Sequence, residues 1–225
     1  MNDLNKKTIA GLLNLFVVVG AVLFLSAWSV SYWQGWIFLA TFFLPCLAIT
    51  LYLMRHDPRL LERRVHAGAI AEKETVQKVI QAFAGLGFLA TIAVPGFDRR
   101  FGWSAVPVPV VAAGNALVLV GFLLVFLVFR VNTFTSGVIE VSGDQKVIST
   151  GLYSVVRHPM YAGALAMLFG VPLALGSYWG LLAFLPMTLA IVIRLLKEER
   201  FLVKNLIGYS DYCKTVKYRL APLIW

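Results

Sequence analysis

The chain has 225 residues, is 60% hydrophobic with a mean hydropathy of +0.80, and only 14% of it is charged, well below the roughly 25% of soluble domains. That composition excludes an ordinary soluble domain and predicts an all-α, polytopic membrane helix bundle. The net charge of +9 is the excess of Lys and Arg that membrane proteins keep on one face. It is not a nucleic-acid footprint, because the basic residues flank apolar runs and form no stripe interleaved with aromatics.

Residues Thr8 to Met54 form an uncharged run of 47 residues, about twice the 20 or so that cross a bilayer. The run must therefore fold back on itself. The turn is expected near Ser29-Val-Ser-Tyr-Trp-Gln-Gly35, where Trp28, Tyr32, Trp33 and Trp36 suit an interfacial aromatic belt. This gives a first span over about Thr8 to Ser29 and a second over about Trp33 to Met54, kinked at Pro45. The first run exceeds the roughly 7–15 apolar residues of a cleaved signal peptide and reads as an uncleaved span.

A basic loop from Arg55 to Lys78 follows, with a short amphipathic helix expected in the headgroups. His56 and His66 within it read as solvated loop histidines. The third span covers about Val79 to Phe97, a short turn holds Asp98 to Trp103, and the fourth covers about Val106 to Phe129. The polar stretch from Arg130 to Arg157 has no span. The fifth and sixth spans, about Pro159 to Ser177 and Tyr178 to Leu196, form a hairpin turning at Gly176-Ser-Tyr178. Small residues such as Gly163 and Gly170 allow the fifth to approach a neighbour closely. The chain thus divides into 1–131, four transmembrane helices, and 132–225, a hairpin with polar approaches and a tail.

With the N-terminus cytoplasmic, 18 of the 20 Lys and Arg fall on the cytoplasmic side, leaving only Arg99 and Arg100 outside. That asymmetry favours cytoplasmic N- and C-termini. Cys46 lies in a span and Cys213 in the tail, so they are expected to stay unpaired, and no Cys/His cluster has metal-ligand spacing.

The polar passage Gly151-Leu-Tyr-Ser-Val-Val-Arg157-His158-Pro159-Met-Tyr161-Ala-Gly163 opens the hairpin. Ionisable groups at the mouth of an apolar helix are costly unless something satisfies them. The hairpin places this passage beside the end of the sixth span, Arg194-Leu-Leu-Lys-Glu198-Glu199-Arg200. Arg194 and Glu198, four apart, share a helix face. Carboxylates at a helix C-terminus oppose its dipole, which a cationic ligand would explain. The N-H groups opening the fifth span suit a carboxylate, and the faces of Tyr153 and Tyr161 suit a sulfonium.

The passage, the apolar hairpin with Gly-Ser at its turn, the Arg…Glu-Glu run and Gly208-Tyr-Ser-Asp-Tyr212 together resemble the integral-membrane methyltransferases related to isoprenylcysteine carboxyl methyltransferase. The wider group includes phospholipid N-methyltransferases. The resemblance runs from Asn132 onward; the compact size and the Asn132-Thr-Phe134 lead-in are similar to its prokaryotic branch, which implies a prokaryotic cytoplasmic membrane. The hydrophobic runs give about six transmembrane helices, and the resemblance implies S-adenosylmethionine as donor in a cytoplasmic pocket, with a lipophilic or lipidated acceptor arriving from the bilayer. By position, the cofactor-binding residues would be Gln145, Lys146, Val147, Ile148, Tyr153, Arg157, His158, Pro159, Met160, Tyr161 and Glu199. Arg194 would bind the acceptor, and Glu198 is a candidate base.

Methyl transfer from a sulfonium needs chiefly alignment in a dry site. A carboxylate acceptor would need only orientation, whereas an amine would need proton removal by Glu198 or His158; no metal is required. Two other readings stand beside this one: a membrane reductase using a nicotinamide cofactor, and a non-catalytic membrane subunit or small transporter. Against transport, no predicted span carries an interior Asp, Glu or Lys.

Overall fold

The computed structural model describes residues 3–66, 75–141 and 143–225. Among these the protein is all helical, with eight α-helices and one 3₁₀ turn. Four helices are long and apolar enough to cross a membrane: α1 (Asp3–Ala27), α2 (Trp33–His56), α4 (Thr75–Phe101) and α5 (Val108–Val131). The expected hairpin is α6 (Pro159–Ala174) and α7 (Leu181–Asn205), with two short helices, α3 (Pro58–Val65) and α8 (Tyr209–Thr215), completing the set.

The six expected spans thus become four full-length helices and a pair of a different kind. At 1.5 Å per residue, α6 measures about 24 Å, short of the roughly 30 Å hydrocarbon core. α7 has 25 residues, but its apolar part stops near Leu196, after which charged residues crowd its last turns.

The helices close a ring in the order α1, α4, α7, α6, α5, α2, and α6 also touches α4 and α2 across the middle. The core inside this ring includes Val19, Leu23, Phe38, Phe42, Ile92, Phe122 and Val171. α5 and α6 pack closest of all. A Cβ on Gly114 would lie 2.3 Å from the Ala174 nitrogen, one on Gly121 would lie 2.6 Å from the Gly163 oxygen, and one on Gly170 would lie 2.7 Å from the Gly114 oxygen. These neighbours are backbone and cannot swing away. Gly114→Ala is therefore expected to destabilise the protein by about 1–3 kcal/mol, the usual cost of overpacking, read as a lowered melting temperature in detergent; an unchanged melt would contradict this packing.

The end carrying the α1–α2, α4–α5 and α6–α7 turns exposes Trp28, Trp33, Trp36, Trp103 and Trp179, an aromatic belt. Tyr32, expected in that belt, is instead fully buried, and its hydroxyl donates to the Leu175 carbonyl. α4 also runs one turn further than its hydrophobic pattern implied. Asp98, expected in a surface turn, is consequently buried inside the helix end. It accepts from the Ser104 N–H at 2.7 Å, the Ser104 hydroxyl at 2.6 Å and the Ser177 hydroxyl, so its acid is satisfied locally.

At the opposite end, Leu4 of α1 packs with Leu53, Leu60, Leu61, Val128, Phe129 and Met160. This gathers the starts of α1 and α6 with the ends of α2 and α5. α3 realises the expected amphipathic helix, capped by Asp57, whose carboxylate accepts from the Leu60 N–H at 3.0 Å. Its apolar face, Leu60 and Leu61, rests on protein. His56 is exposed and stacks on Tyr52, and His66 is also exposed. The part of the basic loop from 67 to 74 lies outside the described residues.

Candidate functional site

After α5, Asn132 steers the chain across this end. Its amide oxygen accepts from the Phe134 N–H at 3.0 Å and its amide nitrogen donates to the Tyr153 hydroxyl at 2.9 Å. The irregular stretch that follows is held through its carbonyls by long side chains from three helices. Arg63 donates to Thr133 O at 2.6 Å, Arg64 to Ser136 O at 3.0 Å, and both Gln81 and Arg194 to Gly137 O, at 3.0 and 3.1 Å.

Gly151, at φ +59°, then starts the 3₁₀ turn Gly151–Ser154; a left-handed residue here favours glycine. Two consecutive N–H groups of the motif donate to the tail, Arg157 to Tyr218 O and His158 to Arg219 O, both at 2.9 Å. Pro159 follows as the first residue of α6, where a missing donor costs nothing.

The two adjacent glutamates of α7 do different work. Glu199 is buried among cations: its Oε1 lies 3.2 Å from His158 Nε2 and 3.1 Å from Arg157 Nε, and its Oε2 accepts from Arg219 Nε at 2.8 Å. The Arg157 contact is an ion pair by distance only, and that Nε–H has no hydrogen-bond partner among the described residues. Burial raises the Glu199 carboxyl, but the His158 and Arg219 bonds and the neighbouring positive charges outweigh it and hold the pKa at about 2. Glu198 accepts instead from the Tyr161 hydroxyl at 2.6 Å.

Beneath these groups lies a cavity of about 610 Å³, within the usual range of ligand sites. Eleven of the thirteen candidate residues line it: Gln145, Lys146, Val147, Ile148, Tyr153, Arg157, His158, Met160, Tyr161, Arg194 and Glu198. Pro159 and Glu199 do not. Pro159 is buried in the first turn of α6, and Glu199 stands behind His158 and Arg157, so the cation expected to meet Glu199 is supplied by protein.

The cavity has two characters. Its polar mouth leads into an apolar shaft that reaches Cys46 of α2, Ala84 of α4, Phe122 of α5, Met167 of α6 and Met187 of α7. Among the described residues no His, Cys, Asp and Glu group could hold a metal ion.

The sequence reading gave no role to several residues now at this site. Tyr209 is buried, lines the cavity, and its hydroxyl has no hydrogen-bond partner among the described residues; burial, and secondarily nearby charge, raise its pKa. Tyr212 also lines the cavity and donates to Tyr153 O at 2.7 Å. Their spacing of three on a helix opened by Gly208, at φ +84°, was the available signal. Arg219 carried none, since tail residues pair with the motif only through tertiary contacts.

Residues 109–207 match the family model of phospholipid methyltransferases. That segment runs from the first turn of α5 through the end of α7 and so takes in the motif, both glutamates and Arg194. This family and the isoprenylcysteine-type enzymes belong to one membrane methyltransferase superfamily, and it is to this superfamily that the segment 109–207 is similar.

Proposed function

We propose that the protein is an integral-membrane methyltransferase that uses S-adenosylmethionine to methylate a carboxylate or amine on a lipophilic acceptor, with the site facing the cytoplasm. The observation that carries this reading is a single cavity with a charged, tyrosine-rich mouth and an apolar shaft among membrane-spanning helices. A polar donor and a membrane-derived acceptor need such a junction.

The residues present fit the donor. The unpartnered Tyr209 hydroxyl, the backbone and side chains of 145–148, and Tyr153 form one wall able to take a nucleoside. Arg157 and His158, fixed by Glu199 and the tail, favour an amino-acid carboxylate. When bound, S-adenosylmethionine supplies an electrophilic methyl carbon that carries its own leaving group. The protein's part is alignment and dryness. Arg194 orients a carboxylate acceptor. For an amine acceptor, Glu198 takes the proton, since it faces the cavity and is positioned by Tyr161, whereas His158 Nε2 is engaged by Glu199.

Calorimetry on detergent-purified protein with S-adenosylhomocysteine tests the reading. Saturable binding, lost in His158→Ala, is the expected result. No heat and no thermal shift would sink it, and a response to NADPH alone would promote the reductase.

A further inference from the structure

We propose that the outer face of α1 pairs with the α1 of a second copy of this chain, with the two Asn14 amides hydrogen-bonded to each other inside the bilayer. The inference is independent of the methyltransferase reading.

Asn14 lies seven residues beyond Lys7 on α1, about 10 Å into the hydrocarbon at the helical rise. It is exposed on the outside of the helix. Lysine and arginine can snorkel from such a depth, but an asparagine side chain is too short to reach the headgroups. Other polar side chains of the first two spans turn back onto their own helices, Thr8 to Leu4 O and Thr41 to Ile37 O, both at 2.8 Å. Asn14 makes no such bond among the described residues. An unpaired amide in hydrocarbon is costly, so its partner has to come from outside the chain.

The surrounding face is built for a helix. Gly11, Asn14, Val18, Ala21 and Leu25 are all exposed and recur at intervals of three, four, three and four residues, the rhythm of a two-helix seam. They lie roughly 120° around the helix from Val19, which sits at the middle of the face that α1 buries. Gly11 is a second signal: a Cβ there would meet nothing within 4 Å. Nothing within the chain calls for a glycine that weakens the helix, whereas a second backbone passing at this level does. α1 is also the least buried of the four spans, which leaves the seam open. Lys7, one heptad before Asn14, stays at headgroup level, where its charge is solvated.

The chemistry selects a second copy as the occupant. An amide is its own complement, since its oxygen accepts and its nitrogen donates. Two copies inserted in the same sense are related by an axis along the membrane normal, which brings identical residues of a parallel α1 pair to the same depth. Asn14 therefore meets Asn14, and each amide donates to the other, while Gly11 and Ala21 on either side let the backbones close. A different protein would need a polar group at matching depth and register; a second copy has one by symmetry.

The test follows the full-length protein in liposomes, by energy transfer between copies carrying donor and acceptor fluorophores at the N-terminus, over a series of dilutions in lipid. Wild type is expected to fit a monomer–dimer equilibrium, with transfer that saturates at high density and fades on dilution. Asn14→Leu is expected to weaken the dimer about tenfold, the scale of interhelical amide bonds in model membranes, and Asn14→Gln to keep part of the affinity. Gly11→Leu is expected to weaken it as well. Both leucine variants should melt no lower than wild type, because neither position has a contact inside the chain to lose, so a loss of transfer will not reflect unfolding. A wild type that stays monomeric at every dilution overturns the proposal. So does an Asn14→Leu variant that pairs with wild-type affinity, which would move the interface to another face.

Discussion

Glu199→Gln will lower stability by about 3 kcal/mol, the scale of breaking a buried ion pair, and will weaken S-adenosylhomocysteine binding more than about tenfold. Glu198→Gln, one residue earlier, will leave the melting temperature and that binding near wild type. The amide at 199 would leave Arg157, His158 and Arg219 without their shared anion, releasing the irregular tail segment that accepts the N–H groups of Arg157 and His158. At 198 an amide oxygen can still accept from Tyr161, so the fold survives. Under the proposed chemistry an amine acceptor then loses its base, with turnover falling about a hundredfold. Thermal melts, titrations and labelled methyl incorporation into extracted lipid separate the two phenotypes; equal destabilisation by both substitutions would contradict the division. The same network sets a pH dependence. Because the folded pKa of Glu199, about 2, is below its ordinary 4.5, its stabilising contribution is complete above pH 4.5 and is lost as the pH falls toward 2. Glu199→Gln should flatten that window.

Helix content and hairpin order were legible because hydrophobic runs and their lengths are local properties. The boundaries were less so. Asp98 terminates an apolar run, yet Ser104 and Ser177, six and seventy-nine positions away, make its burial tolerable. Charge alone could not foresee that partnership. The same holds for the site. The Arg157-His158-Pro159 triplet announced itself by its cost at a helix mouth, and the hairpin argument brought it to Glu198 and Glu199. Which glutamate faces the cavity could not be read from a doublet, because two neighbours on a helix point about 100° apart in directions that only packing fixes. Arg64 looked like one basic residue among several in a loop. Its hold on the stretch after α5 comes from α3, whose Leu60 and Leu61 anchor it on the core and so turn Arg63 and Arg64 toward residues 133–136.

Gly87→Ala will shorten the chain that the cavity accepts without weakening the bundle. Gly87 lies on α4 against Met187, and an added Cβ would sit 2.2 Å from the Met187 sulfur and 2.8 Å from its Cγ. Those atoms end a flexible, unbranched side chain, so Met187 will swing aside before the helices part. The helix itself gains from losing a glycine. Met187 is buried in a cluster with Leu168 and Ile191, against which Phe88 and Phe184 pack, and it lines the shaft together with Cys46, Ala84, Phe122 and Met167. Glu198 and Met187 are eleven residues apart on α7, about 16 Å at the helical rise, which holds roughly a dozen methylenes at about 1.3 Å each. A displaced Met187 removes room for two or three of them. At about 0.8 kcal/mol per buried methylene this costs about 2 kcal/mol, roughly thirtyfold in affinity, and only for chains long enough to reach the floor. Competition binding with n-alkanols from octyl to hexadecyl should therefore show wild-type affinity for short chains and a loss that begins at dodecyl. A loss uniform across lengths, or a lowered melting temperature, would mean that α4 and α7 separate instead, and that the shaft does not end at Met187.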